Sequence, residues 1–284
     1  MKIDGIEIKP SGTAPEQLAA YSQLLGRVFG PLPKFTVSAL QWLYRDNPEG
    51  HVVGADAWSG DTLAAHYVTI PMRARIAGES VRGLLSLNTA TAPEFQGKGL
   101  FTTLAEATYA AAREQGFQGV FGFANANSTP GFLRKLAFQQ VRSLEAGLLL
   151  RPPRRLAEAP TGFQVDWTPA SLAWRLANPA AKYRVARQGD LLGVWADTSV
   201  PGLRCAAFLA GHPEVAATGG RPWIPPLFIG LEPRLSLPAH GFAPIPARLR
   251  PSPLNMIWRR LDPSLPERLD PATTAVSFLD FDPY

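Results

Sequence analysis

The chain has 284 residues, 46% hydrophobic and 18% charged, which is enough apolar material for a real core and excludes global disorder. No apolar run approaches the roughly 20 residues a membrane helix needs, the opening Met1-Lys2-Ile3-Asp4-Gly5 does not read as a signal peptide, and one cysteine, Cys205, rules out an intramolecular disulfide or a cysteine metal cluster. Four scattered histidines (His51, His66, His212, His240) offer no His-x-x-x-His ligand spacing, and the net charge of +5 suits anionic ligands without requiring nucleic acid. The expectation is a cytoplasmic protein without a structural metal, one large domain or two ordinary ones.

In chain order, Ile6–Pro10 reads as a short alternating strand, and Ala14–Gly26 and Val37–Arg45 read as helices. Val52–Trp58, Thr62–Ile76 and Ser80–Thr91 read as strands, joined by turns at Ser59-Gly60-Asp61 and Ala77-Gly78-Glu79. A glycine-rich loop follows, Pro93-Glu94-Phe95-Gln96-Gly97-Lys98-Gly99-Leu100-Phe101, then a helix over Phe101–Gln115 with apolar or small residues at Leu104, Ala107, Thr108 and Ala111. Gly119–Ala124 reads as a buried strand. The next segment, Asn125 to Phe138, has Asn127 or Ser128 to cap a short helix and Pro130 in its first turn.

A glycine turn that opens a helix is a ready anion site: the backbone approaches closely, free N–H groups point outward, and the helix dipole favours negative charge. Lys98 adds a cation. The dinucleotide fingerprint fails for want of a third spaced glycine, and the P-loop fails because Gly99 follows Gly97-Lys98 where Ser or Thr is needed. An ordinary strand–turn–helix junction is the plain alternative.

Gln96-Gly97-Lys98-Gly99 resembles the pyrophosphate loop of the GNAT (GCN5-related) N-acyltransferase superfamily, with Phe101 standing where a last Gly or Ala is usual. Asn127, then Lys135-Leu136-Ala137-Phe138, is similar to the family's second block, Ala137 replacing a glycine. The resemblance covers roughly Ile6 to Leu150. It implies an α/β (α+β) fold, a mixed, mostly antiparallel sheet flanked by helices, and acetyl-CoA or another acyl-CoA as cofactor. By position, the strand residues Thr89, Ala90 and Thr91 would pair with the pantetheine arm. Gln96, Gly97, Lys98, Gly99, Leu100 and Phe101 would hold the pyrophosphate, and Asn127 would meet the arm from the other side.

The family's usual catalytic groups are absent: the central strand Leu84-Leu85-Ser86-Leu87-Asn88 has no carboxylate, and the usual tyrosine position falls near Leu133. Substitutes are His66 as a base (or a hydrogen-bonded structural histidine), Ser86 and Asn88 on one face of their strand to orient the amine, and the terminal carboxylate of Tyr284 (or a plain surface carboxylate). Tyr44, Trp58, Tyr67 and Trp174 either line an acceptor pocket or belong to the core.

Arg151-Pro152-Pro153-Arg154-Arg155 marks a boundary, giving 1–150 as the acyl-CoA-binding domain and 151–284 as a second, degenerate GNAT-like lobe that shapes the acceptor site. An internal echo supports two related lobes: Leu40-Gln41-Trp42, Asn47-Pro48 and a strand to Trp58 recur as Leu172-Ala173-Trp174, Asn178-Pro179 and a strand to Trp195. Two unrelated helices with a common Asn-Pro stop would give the same pattern. Phe278–Phe281 reads as a final strand. The two-lobe layout resembles bacterial acyltransferases that modify amino sugars, so a nucleotide-linked amino sugar is the favoured small-molecule acceptor. An amino-acid, polyamine or antibiotic amine, or an inactive acyl-CoA-binding module, are the alternatives. No membrane or nucleic-acid partner is expected.

Overall fold

The computed structural model describes residues 2–3, 5–212, 214–219, 225–246, 248 and 252–281. The first half runs β1 (Lys2–Ile3), β2 (Ile6–Pro10), α1 (Pro15–Phe29), α2 (Val37–Tyr44), β3 (Val53–Ser59), β4 (Thr62–Ile76), β5 (Glu79–Thr91), α3 (Leu100–Glu114), β6 (Gly119–Ala124), α4 (Thr129–Lys135) and β7 (Gln139–Ser143). The second runs β8 (Glu145–Leu149), β9 (Phe163–Val165), α5 (Pro169–Leu176), β10 (Tyr183–Gln188), β11 (Leu191–Asp197), β12 (Arg204–Ala210), β13 (Leu227–Leu231), β14 (Phe242–Pro244), β15 (Asn255–Arg260), β16 (Thr274–Ser277) and α6 (Phe278–Phe281). The sheet is mixed and flanked by helices, as expected.

The helices form because their apolar residues fall on one stripe. Leu18, Tyr21, Leu24 and Leu25 of α1 are buried, and the helix runs on past Gly26 to stop at Gly30, whose φ of 93° the other residues avoid. Thr36 caps α2 by accepting from the Ala39 N–H at 3.3 Å. The strands β3, β4 and β5 are antiparallel, with the turn at Ala77-Gly78 in the left-handed region at both positions (φ 50° and 90°), as a tight hairpin requires. Strand β4 is buried along most of its length because both faces are covered. On one face Ala55, Ala57, Ala64 and Ala65 let α3 approach closely with Leu100, Leu104 and Tyr109. On the other, Val68, Ile70 and Leu85 meet α1 and α2 through Leu25, Leu40 and Tyr44. Each fully buried leucine contributes on the order of 2 kcal/mol.

Strands β5 and β6 run parallel and pair from Gly83↔Gly119 to Ser86↔Gly122, and no further. Beyond that point β5 stays with β4, while Phe123 and Ala124 of β6 pair with Met256 and Asn255 of β15. The two strands therefore splay, leaving facing backbone edges open from Leu87 and Phe123 onward.

The chain does not divide at residue 150. Strand β15, from the second half, lies between β6 and β7 and is antiparallel to both. Strand β8, whose residues precede position 150, lies between β13 and β14 in the same way. Each side of residue 150 thus sets a strand inside the other's sheet. The fit of β15 depends on Gly119, where a Cβ would sit 2.2 Å from the Trp258 ring. A second seam is made by β16, parallel to β9 at the edge of the first sheet and antiparallel to β13 of the second. The proline-rich stretch at 151–155 marks a connection without regular structure, but not a boundary between sheets.

Two local expectations are also corrected. Phe278–Phe281 is a helical turn, because Phe278, Leu279 and Asp280 are all buried in succession, a pattern no half-exposed strand can satisfy. The turn into α4 is capped by Asn125 instead of Asn127 or Ser128: its Oδ1 accepts from the N–H groups of Asn127 and Ser128, both at 3.0 Å.

Candidate active site

The glycine loop leaves β5 through a short 3-10 turn at Pro93–Phe95 and enters α3 at Leu100. Arg27 of α1 braces the lead-in, its two terminal nitrogens donating to the Glu94 carboxylate at 2.8 and 3.0 Å. Gly97 and Gly99 have φ of 77° and 74°, and a Cβ at either would meet only open space, so conformation and not crowding demands glycine. The Gln96 N–H is spent on the Pro93 carbonyl at 3.3 Å. The next five N–H groups, Gly97 to Phe101, have no acceptor among the described residues, and residues 96–99 are exposed. Lys98 lies over the Phe95 ring at 5.0 Å. Five adjacent donors at a helix start form a cradle for an anion. The loop thus fits a pyrophosphate, with residues 97–101 as its donors and Gln96 as a brace whose side chain donates to the Thr91 carbonyl at 3.3 Å.

Beside it, β5 carries a bulge. His66 pairs with Ala90 and Val68 with Leu87, so Asn88 and Thr89 together face Tyr67. Asn88 takes a left-handed φ of 48°, which asparagine tolerates better than most residues. The bulge overturns the expectation that Ser86 and Asn88 share a face. Ser86 turns toward α3, its hydroxyl 3.1 Å from Tyr67 Oη, whereas Asn88 turns toward α2 and donates from Nδ2 to Tyr44 Oη at 2.9 Å. Tyr67 and Tyr109 share a short hydroxyl–hydroxyl hydrogen bond, and burial pushes the Tyr67 phenol up to about 12.

His66 does not open to solvent. It is fully buried, stacked on Tyr21 at 4.1 Å between ring centroids. Its Nδ1 lies 2.7 Å from Asp56 Oδ1 and its Nε2 3.2 Å from Tyr44 Oη. Asp56, also fully buried, accepts further hydrogen bonds from Ser11 Oγ at 2.7 Å and Tyr21 Oη at 2.6 Å. Asp56 escaped the sequence reading, since its place opposite His66 is set only by the β3–β4 register. Tyr284 lies outside the described residues.

A cleft of about 940 Å³ opens at the splay. Its floor is Leu85–Thr89 and Gly122–Asn125, and Asn127 stands at its edge. The first half adds Phe29, Lys34, Phe35 and Trp42, and the second half adds Arg175, Asn178 and Phe281. Tyr44, Trp58, Tyr67 and Trp174 do not line it; Tyr44 reaches it only through Asn88. Trp42 does line it and stacks on Trp174 at 4.6 Å, each indole N–H donating to the other's carbonyl at 3.2 and 3.1 Å. The two tryptophans of the sequence echo thus meet across a local two-fold.

Residues 11–141 match the family model of the acetyltransferase (GNAT) domain. Two solved structures share the fold over most of the chain. A GCN5-related N-acetyltransferase from Kribbella flavida superposes with a TM-score of 0.63 at 15% identity, over 92% of this chain and 73% of that one. A GCN5-related N-acetyltransferase from Anabaena variabilis gives 0.60 at 11% identity, over 90% and 73%. No curated protein matches the chain in sequence. Residues 11–141 thus match the GNAT acetyltransferase domain, and the chain as a whole shares the fold of these N-acetyltransferases. Among the described residues no helix is long and apolar enough to cross a membrane.

Proposed function

We propose that the protein transfers an acyl group, acetyl in the simplest case, from acyl-coenzyme A to a primary amine held in the cleft between its halves. The row of five N–H groups at residues 97–101 without an acceptor among the described residues, set beside the β5–β6 splay, is the observation that carries this reading. The pyrophosphate takes those donors, the pantetheine arm pairs with the open edge at Thr89–Thr91, and Asn127 flanks it. The thioester then faces the cleft floor at Ser86–Asn88. The amine nitrogen attacks the thioester carbonyl carbon, a C–N bond forms, the C–S bond breaks, and the amine proton ends on the departing sulfur directly or through water.

For the acceptor, a nucleotide-linked amino sugar fits the lining best. Phe29, Phe35 and Trp42 offer rings on which a base can stack, and Lys34 and Arg175 set a positive field for phosphates. No carboxylate is among the described lining residues, which disfavours a polyamine or a polycationic antibiotic. The test is release of coenzyme A thiol from acetyl-CoA across a panel of amines that includes nucleotide-linked amino sugars, with polyamines as the contrast. Thiol release that depends on the amine is expected, greatest with the nucleotide-linked acceptors. Tight acetyl-CoA binding with no turnover on any amine would favour an inactive acyl-CoA-binding module instead.

A further inference from the structure

The buried chain Asp56–His66–Tyr44 ends on a side chain at the cleft floor, and with the imidazole neutral its hydrogen bonds run in one direction. Asp56 takes donors from Ser11, Tyr21 and His66 Nδ1, so His66 Nδ1 carries its proton and Nε2 is left as an acceptor. Tyr44 Oη, 3.2 Å away, is the donor that meets it. Burial raises the Tyr44 phenol well above its ordinary pKa, so the hydroxyl keeps that proton. With its one proton committed to His66, Tyr44 can only accept from its other neighbour, and Asn88 must present its NH₂ group to it. The Asn88 amide is therefore locked in one orientation. Its carbonyl oxygen accepts from nothing among the described residues, and Asn88 lines the cleft. The left-handed bulge fixes the backbone beneath it.

We infer that Asn88 is a catalytic residue whose Oδ1 accepts an N–H hydrogen bond from the attacking amine, and that Tyr44, His66 and Asp56 are positioning residues acting through it. The inference rests on the acyltransferase reading. A neutral amine has a lone pair for attack and N–H bonds to spare, so an acceptor of fixed direction aims the lone pair at the thioester carbonyl. Asn88 takes no proton, since an amide is not a base at neutral pH, and the proton still leaves with the sulfur or water. This accounts for how the chain manages without a carboxylate on its central strand.

Asn88→Gly removes the amide yet keeps a residue at ease at φ 48°, so the fold and the bulge are retained. Tyr44→Phe removes only the hydroxyl that anchors the amide. The measurements are acetyl-CoA binding by calorimetry, and kcat and KM for thiol release with the amine panel. Asn88→Gly is expected to bind acetyl-CoA as the wild type does and to lose roughly 30- to 100-fold in kcat. Tyr44→Phe is expected to lose roughly three- to tenfold in kcat with the same affinity, and the double variant to be no slower than Asn88→Gly alone. Wild-type kcat in Asn88→Gly, or losses that multiply in the double variant, would overturn the inference and leave the acyltransferase reading intact. A wild type that fails to bind acetyl-CoA, or binds it and turns over no amine, would overturn both.

Discussion

The two halves of the molecule share a plan and part company at one turn. Strands β3, β4 and β5 form an antiparallel meander whose last member runs parallel to β6, and β10, β11 and β12 form another whose last member runs parallel to β13. Each sheet then receives a strand from the other side of residue 150. In the first half, however, the connection from β5 to β6 is the glycine loop and the fifteen-residue α3, whereas the 211–226 connection in the second holds no helix among the described residues. The parallel contact is four residue pairs in the first half and two in the second. A sheet plan thus stands with or without an anion cradle, because the plan is held by buried faces and the cradle by a few backbone conformations. What the second half retains is a wall: Arg175, Asn178 and Phe281 complete the cleft that the first half opens.

If the exchange of strands is what fuses the halves, breaking either exchanged strand should unfold both. Trp258 of β15 is 1% exposed, and its replacement by alanine should cost about 3–5 kcal/mol. Leu149 of β8 is fully buried, and Leu149→Ala should cost about 2–5 kcal/mol. Thermal denaturation should show one cooperative transition moved down in each variant. Two transitions, of which each variant moves only one, would mean that the halves fold separately despite the exchange.

A smaller effect is expected at the seam, where Asp280 of α6 accepts from Trp167 Nε1 at 3.1 Å and from the Ser277 N–H at 2.5 Å. Burial is the main cause that raises its carboxyl from 3.8 to about 6, outweighing these hydrogen bonds and the nearby Arg175. A raised acid binds its proton more tightly in the folded state. Its contribution is therefore complete below about pH 4 and fades as pH rises to about 6, a change on the order of 2–3 kcal/mol. Asp280→Asn should flatten the stability profile between pH 4 and 6 relative to wild type. A variant profile parallel to that of wild type would place the titration elsewhere.

The smallest effect belongs to the local two-fold. Trp42→Ala and Trp174→Ala each leave the other indole without its stacking partner, while the backbone carbonyl it donates to stays in place. A double-mutant cycle on chemical denaturation should give a coupling of about 1 kcal/mol. A coupling near zero would make the meeting of the echo residues incidental to stability.

Much of the first half was legible because its signals are local. Thr62–Ile76 and Gly119–Ala124 were read with their observed bounds, and the loop at 96–101 declared itself through two glycines and a helix start. The Trp42 and Trp174 echo was visible as spacing, though the contact between the two was not. The strand exchange stayed hidden because nothing within Asn255–Arg260 states which sheet will receive it; Gly119, more than a hundred residues earlier, makes the space. At the site, period-two alternation put Ser86 and Asn88 together, and a single left-handed residue at the bulge set them apart. The place of Asp56 depended on register across the hairpin, so His66 looked like a base when its partners hold it inside the core.

The most direct test of the account is a calorimetric titration of acetyl-CoA into the wild type, Gly99→Asp and Gly211→Asp. The two glycines have nearly the same φ, 74° and 78°, so the variants carry like strain and like charge in the β5–β6 and β12–β13 connections. Gly99→Asp should lose roughly 100-fold or more in affinity through repulsion of the pyrophosphate, while Gly211→Asp binds as wild type does. Equal losses in both, or undiminished binding by Gly99→Asp, would contradict the assignment of the cofactor to the first half's loop.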